Sequence, residues 1–313
     1  MPTATSTDQY AITNLGPLTT VFTPPASCVT AAPSGPNLWL AVRNAFGDDR
    51  VAANYKKECG VASQGDCFPS GSQIDEAYSS ATAKGISVAG TIDYFSPASA
   101  CPDSYTTAGV ASRVNGSVVS SSGIFVPPAV TVRNGGNIVQ NPPLNVLMQV
   151  LDEGETAVIC CPQNWTVGIN GGCYSEVPAS VYGERTACLR VRDNDDYTEV
   201  TGSITYNNTI MTGRIFSYTA SSQAFSTRTT TLTASALTES MYPVASRAAV
   251  TMIHKGSVEE TGGASGSGTA APTETAPSAA HGMRMTTSGG NVGILATVWT
   301  FAALAGVALA LPL

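Results

Sequence analysis

The chain reads as a mainly β protein: a disulfide-stapled antiparallel sheet or sandwich with one short helix, followed by a disordered stalk and an apolar C-terminal tail. Three observations point there. Short runs rich in Val, Ile, Thr and aromatic residues recur along residues 18–254, bounded by Gly, Pro, Asn or Asp, which is the punctuation of short strands and turns. The eight cysteines are confined to the stretch from Cys28 to Cys188. After residue 258 the composition turns to Gly, Ala, Ser, Thr and Pro, and residues 292–313 are apolar and uncharged. The sequence therefore predicts an ectodomain over 1–258, a stalk over 259–291 and a tail over 292–313.

Taken in order, residues 18–23 (LTTVFT) are expected as the first strand, stopped by Pro24 and Pro25. Residues 37–44 (NLWLAVRN) follow as a second, with Trp39 filling core. A loop over 47–72 carries Cys59 and Cys67, and residues 73–84 (QIDEAYSSATAK) form the expected helix, ended by Gly85. Residues 85–95 return to a strand that Ser96-Pro97 stops, and 98–105 (ASACPDSY) make a turn-rich connection through Cys101. Further strands are expected within 117–132, 144–151, 155–161, 188–191, 198–206, 215–218 and 248–254. Short strands separated by turn signals are the mark of an antiparallel β domain.

An even number of cysteines gathered in one region fits four disulfides formed in an oxidising compartment. Zinc is disfavoured, because no C-x-x-C spacing occurs and neither His254 nor His281 lies among Cys28, Cys59, Cys67, Cys101, Cys160, Cys161, Cys173 and Cys188. Eight cysteines allow 105 pairings. Adjacent Cys160 and Cys161 would close a strained eight-membered ring if bonded to each other. On a strand their side chains leave from opposite faces, so they are expected to tie the segment to two different neighbours. Cys161 with Cys173 is the best local pair; the rest of the pairing stays open.

Charged residues make up only 12% of the chain and the formal net charge is −7. No Lys/Arg-rich run exists to neutralise phosphates, so no nucleic-acid partner is expected. N-x-S/T triplets place candidate N-glycans at Asn115, Asn164 and Asn207, all in the expected lumenal domain. The motifs G-x-S-x-G, H-E-x-x-H, G-x-G-x-x-G and the phosphate-binding loop are all missing, and a Ser-His-Asp arrangement would have to recruit His254 from the last strand. No cofactor and no catalytic residue is assigned. Carboxylate chemistry needs only two facing acids, for which Asp93, Asp152, Glu153 and Glu155 are the candidates. The run Arg192-Asp193-Asn194-Asp195-Asp196 offers oxygen ligands but lacks the glycine and distal glutamate of a calcium loop. Trp165, Tyr174 and Tyr182 would make a sugar-stacking platform. Each has an ordinary reading that weighs more: solvated strand ends and turns for the acids, an acidic turn for 192–196, core or loop packing for the aromatics.

The stalk composition cannot bury enough apolar surface to offset its ordering entropy, so an extended, O-glycosylated segment is expected. The tail is long enough to cross roughly 30 Å of hydrocarbon. No Lys or Arg follows it, and small residues, a polar spacer and a terminal apolar run match a GPI-attachment signal, with Ser278 and Ser288 as attachment candidates. A retained transmembrane helix is the alternative. The first basic residue is Arg43 and no apolar run precedes it, so entry to the secretory route is expected from a start upstream of Met1 or through the C-terminal segment.

The ordered set YAITNLGPLTTVFTPPASC (10–28), CFPSG (67–71), YFSPASACPDSYTTA (94–108) and TAVICCPQNWTVGINGGCYS (156–175) resembles a group of fungal surface proteins. These have a Cys-rich ectodomain, a Ser/Thr-rich stalk and one apolar segment near the C-terminus. The resemblance covers residues 10–190 and implies a location more than an activity, since no activity is established for the group. Many of its members continue past the apolar segment into a cytoplasmic tail, and this chain does not. The expectation is a glycosylated protein of structural or adhesive type at the outer face of the fungal plasma membrane or in the wall. Its partners would be the membrane, through the tail or a GPI lipid, and wall polysaccharide. The alternatives are a wall-polysaccharide-binding module and a carbohydrate-active enzyme.

Overall fold

The computed structural model describes residues 1–256 apart from 8, 31, 34, 43–49, 85–89, 117, 127–137, 140, 192–197, 207–208, 218–225 and 233–240. The expected stalk and tail, with Ser278 and Ser288, lie outside the described residues, as do Asn207 and the acidic run at 192–196. In chain order the elements are β1 (Ala11–Asn14), α1 (Ala26–Thr30), β2 (Leu38–Val42), β3 (Ala52–Lys56), α2 (Gly71–Ala83), β4 (Thr91–Tyr94), β5 (Tyr105–Asn115), β6 (Val118–Gly123), β7 (Ile138–Val139) and α3 (Pro143–Val150). They continue with β8 (Glu155–Pro162), β9 (Thr166–Val167), β10 (Cys173–Glu176), α4 (Ala179–Tyr182), β11 (Thr186–Val191), β12 (Thr198–Tyr206), β13 (Thr209–Ser217), β14 (Ser226–Thr231), β15 (Met241–Arg247) and β16 (Val250–Lys255).

The molecule is mainly β, antiparallel and stapled by four disulfides, as the sequence predicts. Its centre is a four-stranded sheet in the order β16-β8-β5-β6. Every residue of β8 is buried, which is why ETAVICCP reads as an unbroken apolar run and not as an alternation. Its side chains still alternate between faces. Ala157, Ile159 and Cys161 enter one core cluster with Ala111 and Ile253. Val158 and Cys160 enter another with Val250 and Met252. The sheet thus separates two hydrophobic layers, each fully buried Val or Ile contributing about 1.5–3 kcal/mol.

A seven-stranded antiparallel sheet runs β14-β11-β3-β2-β15-β10-β9. The chain passes from it to the four-stranded sheet at the Ala248-Ala249 corner between β15 and β16. A three-stranded sheet holds the β12-β13 hairpin and β7, and β1 pairs in parallel with β4. β4 reaches β16 through the bridge between Phe95 and Met252.

Two expected strands are corrected. Within 18–23 only Leu18 pairs, in an isolated bridge to Ala98, and the first strand is β1. The remainder of that stretch finds single hydrogen bonds, such as Asp103 N–H to Phe22 O at 2.8 Å, and no continuous strand edge. Val21 is left 56% exposed, so its β-branched side chain gains nothing from a ladder. Residues 144–151 form helix α3 instead of a strand. Pro142 and Pro143 open it with preset backbone angles, and Leu144, Val146, Leu147 and Val150 bury one helical face. A short apolar run does not distinguish a buried strand from a buried helix. The expected helix is α2, and α1 and α4 are additional short ones.

Candidate functional site

The four bridges staple helix, loop and strand segments, and one of them joins two sheets. Cys28, in the middle of α1, bonds Cys67 just ahead of α2, and Cys59 after β3 bonds Cys188 in β11. Cys101 bonds Cys160 on one face of β8, and Cys161 on the other face bonds Cys173 at the start of β10. The Cys161–Cys173 bridge spans only 12 positions yet joins the four-stranded sheet to the seven-stranded one.

Inside that loop the chain makes a tight turn over 168–172. Gly168 N–H donates to Gly172 O at 2.8 Å, and Gly171 N–H to Gly168 O at 2.9 Å. A Cβ on Gly168 would collide with the Tyr174 ring, so only glycine fits. Asn170 Nδ2 donates to the Tyr174 hydroxyl at 2.7 Å. Burial pushes the Tyr174 phenol up to about 12, against the pull of that hydrogen bond.

The turn forms one wall of a cleft of about 520 Å³ where the two large core clusters come apart. Tyr10, Phe68, Tyr78 and Phe95 give it aromatic walls, and Leu144 and Leu147 of α3 add an aliphatic one. Ile74 and Tyr78, one helical turn apart on α2, face it together. Its polar groups include Gln64, Asn170 and Asp93. Asp93 lies on β4 and is the one charged group among the described residues that line the cleft. Burial raises its carboxyl above the ordinary range, with no hydrogen bond or cation from the described residues to offset that.

The Gln64 side of the cleft is braced from α2. Asp75 accepts hydrogen bonds from Gln64 N–H at 2.7 Å, Gly65 N–H at 2.9 Å and Ser63 Oγ at 2.5 Å. A Cβ on Gly71, in the first turn of α2, would collide with the Gly65 carbonyl. Burial alone would raise the Asp75 carboxyl, but these three donors outweigh it and hold it below its usual value.

The other sequence-predicted residues fall elsewhere. Asp152 accepts the Thr3 N–H at 2.8 Å and its hydroxyl at 3.1 Å. Glu155, 1% exposed, takes the Met1 ammonium at 2.5 Å and the Asp152 N–H at 2.8 Å. These two acids hold the N-terminal segment, and Glu153 is exposed. Tyr174 and Tyr182 are 3% and 1% exposed, so neither offers a face to a sugar; Tyr182 Oη donates to Thr186 O at 2.8 Å. Trp165 is partly buried, with the Arg247 guanidinium 5.0 Å from its ring. Burial lowers the His254 pKa, which favours its neutral form. Asn115, at the end of β5, and Asn164, in the turn between β8 and β9, are both exposed, Asn164 in the left-handed conformation at φ 65° that asparagine tolerates. No group of three or more potential metal ligands occurs among the described residues.

Asp93 was one of four acids open to sequence reasoning. Gln64 and Asn170 carried no signal, because positions so far apart meet only through the strand order and the Cys161–Cys173 bridge. No protein family, curated protein or solved structure matches the chain.

Proposed function

We propose that this chain is a glycosylated, non-catalytic surface protein of structural or adhesive type, held at the outer face of a fungal plasma membrane or wall by its C-terminal segment. The observation that carries this is the full pairing of its cysteines: all eight are bonded, and three of the four bridges anchor in strands of the two large sheets. Such a framework persists in an oxidising exterior and is reduced in a cytosol. Exposed Asn115 and Asn164 support the same address, since a glycan on either extends into solvent without displacing packing.

Two features favour a non-catalytic role over a carbohydrate-active enzyme or a polysaccharide-binding module. Asp93 has no second carboxylate among the described cleft residues, whereas glycoside hydrolysis uses two about 5–9.5 Å apart. The aromatic platform for sugar is not assembled, with Tyr174 and Tyr182 in the core and Trp165 stacked by Arg247.

The test is labelling of intact cells with a membrane-impermeant amine reagent, then treatment with phosphatidylinositol-specific phospholipase C. The proposal expects labelled, glycosidase-sensitive protein; release by the phospholipase assigns a GPI lipid, and retention assigns a transmembrane helix. Unlabelled, unglycosylated protein in the cytosolic fraction contradicts it.

A further inference from the structure

The cleft around Asp93 remains unused by a structural role, and its composition is specific. Its volume, about 520 Å³, falls in the roughly 300–1,000 Å³ range of small-molecule sites. Its walls are aromatic and aliphatic, it carries the neutral amides of Gln64 and Asn170, and among the described residues it holds a single charge. A carboxylate in such surroundings loses hydration, and here no described residue replaces what is lost. A cation at the carboxylate would offset that loss.

We propose that the cleft around Asp93 binds small organic cations, taking a protonated amine at the carboxylate and an apolar, ring-sized body against the aromatic walls. Anions are excluded by the charge. A metal ion would find one carboxylate and two amides, too few hard ligands for calcium or magnesium. A free sugar would bury its hydroxyls against Leu144, Leu147, Phe68 and Phe95, which offer nothing to bond them. An ammonium on an apolar body satisfies both halves: a charge-assisted hydrogen bond at Asp93, and contact with ring faces that also attract cations.

The site is built, not incidental. Three constraints converge on it: the Cys161–Cys173 bridge fixes the 168–172 wall, Asp75 braces the Gln64 loop, and the Phe95–Met252 bridge aligns β4 with β16. Among the described residues the other ionisable side chains on the cleft are the phenols of Tyr10 and Tyr78. This inference goes beyond the surface role proposed above and stands or falls separately from it.

Isothermal titration of the full chain, bridges intact, with 2-phenylethylamine and with tryptamine tests it, each against its neutral alcohol, 2-phenylethanol and tryptophol. The expected result is saturable binding of the amines, with the alcohols and the Asp93→Asn variant each weaker by about tenfold or more. Amine binding should fade on acidification at a higher pH than an ordinary aspartate would give, as the carboxylate takes up its proton. Equal affinity for amine and alcohol, unchanged affinity in D93N, or no saturable binding by either amine overturns the proposal.

Discussion

Cys160 and Cys161, adjacent on β8, leave the strand on opposite faces: Cys160 is bonded to Cys101 in one hydrophobic layer and Cys161 to Cys173 in the other. The alternation of a strand makes this the natural use of a Cys-Cys pair. One strand, buried throughout, thereby becomes the fixed point from which both layers are held.

The bridges should differ in worth according to the chain they close. By loop-closure entropy, the Cys161–Cys173 bridge, 12 residues apart, stabilises by about 3 kcal/mol, and the Cys59–Cys188 bridge, 129 apart, by about 5. Paired Cys→Ala variants unfolded in urea should rank in that order. A larger loss from C161A/C173A than from C59A/C188A would mean that cross-sheet packing, not chain entropy, dominates.

Arg113 does for α3 what α3 does not do for itself. The helix has no basic residue in its last turn, and Arg113 on β5 donates to the carbonyls of Met148 at 3.1 Å, Gln149 at 3.0 Å and Leu151. Those carbonyls lack intrahelical partners, and the guanidinium also meets the negative end of the helix dipole. Arg113→Met should cost about 1–3 kcal/mol in urea unfolding. Arg113→Lys, lacking the planar fork, should recover less than half of that. An unchanged midpoint in R113M would contradict the assignment.

Asp75 and Asp93 should pull acid stability in opposite directions. Asp75 titrates lower when folded, so its stabilisation is complete above the unfolded aspartate value, about 3.9, and is lost as pH falls through the folded value. Asp93 titrates higher when folded, so stability falls as pH rises from the unfolded value through the folded one. Asp93→Asn should therefore stabilise the ligand-free protein at neutral pH and converge with wild type in acid. Asp75→Asn should destabilise at neutral pH and also converge in acid. Thermal melting across about pH 2–7 checks both, and a D93N variant less stable than wild type at neutral pH would contradict the unpartnered carboxylate.

How much of this was legible in sequence depended on the range of the interaction. β8 and the opposed Cys160 and Cys161 are strictly local, and both emerged from residue type and strand alternation. The helix over 143–150 did not, because its short apolar run suits either state and the arginine that caps its C-terminal end comes from β5, although its Pro142-Pro143 start is a local signal. The stretch 18–23 has strand-forming side chains but no neighbour to pair with, a property of the surroundings. Tyr174 and Tyr182 look the same in sequence whether they stack on sugar or fill core. The cleft was beyond reach, since Gln64, Asp93 and Asn170 sit on three segments that the fold alone brings together.

The sequons can be separated from backbone effects. Thr166 is exposed on β9, so Thr166→Val should remove the glycan proposed at Asn164 with a stability change within about 0.5 kcal/mol. Asn164→Gln removes the same glycan but places glutamine at φ 65°, at a cost of about 1 kcal/mol. Mass spectrometry of the protein from its native cells and its melting curve read the two effects apart.

The central claim is that paired sulfurs hold a β ectodomain in an oxidising exterior. Its most direct test is peptide mapping of the protein from its native cells, alkylated before any reductant is added, with fragmentation that separates Cys160 from Cys161. The account predicts the linkages Cys28–Cys67, Cys59–Cys188, Cys101–Cys160 and Cys161–Cys173, with no alkylated cysteine. Alkylated thiols at these positions, or Cys160 found joined to Cys173, would contradict it.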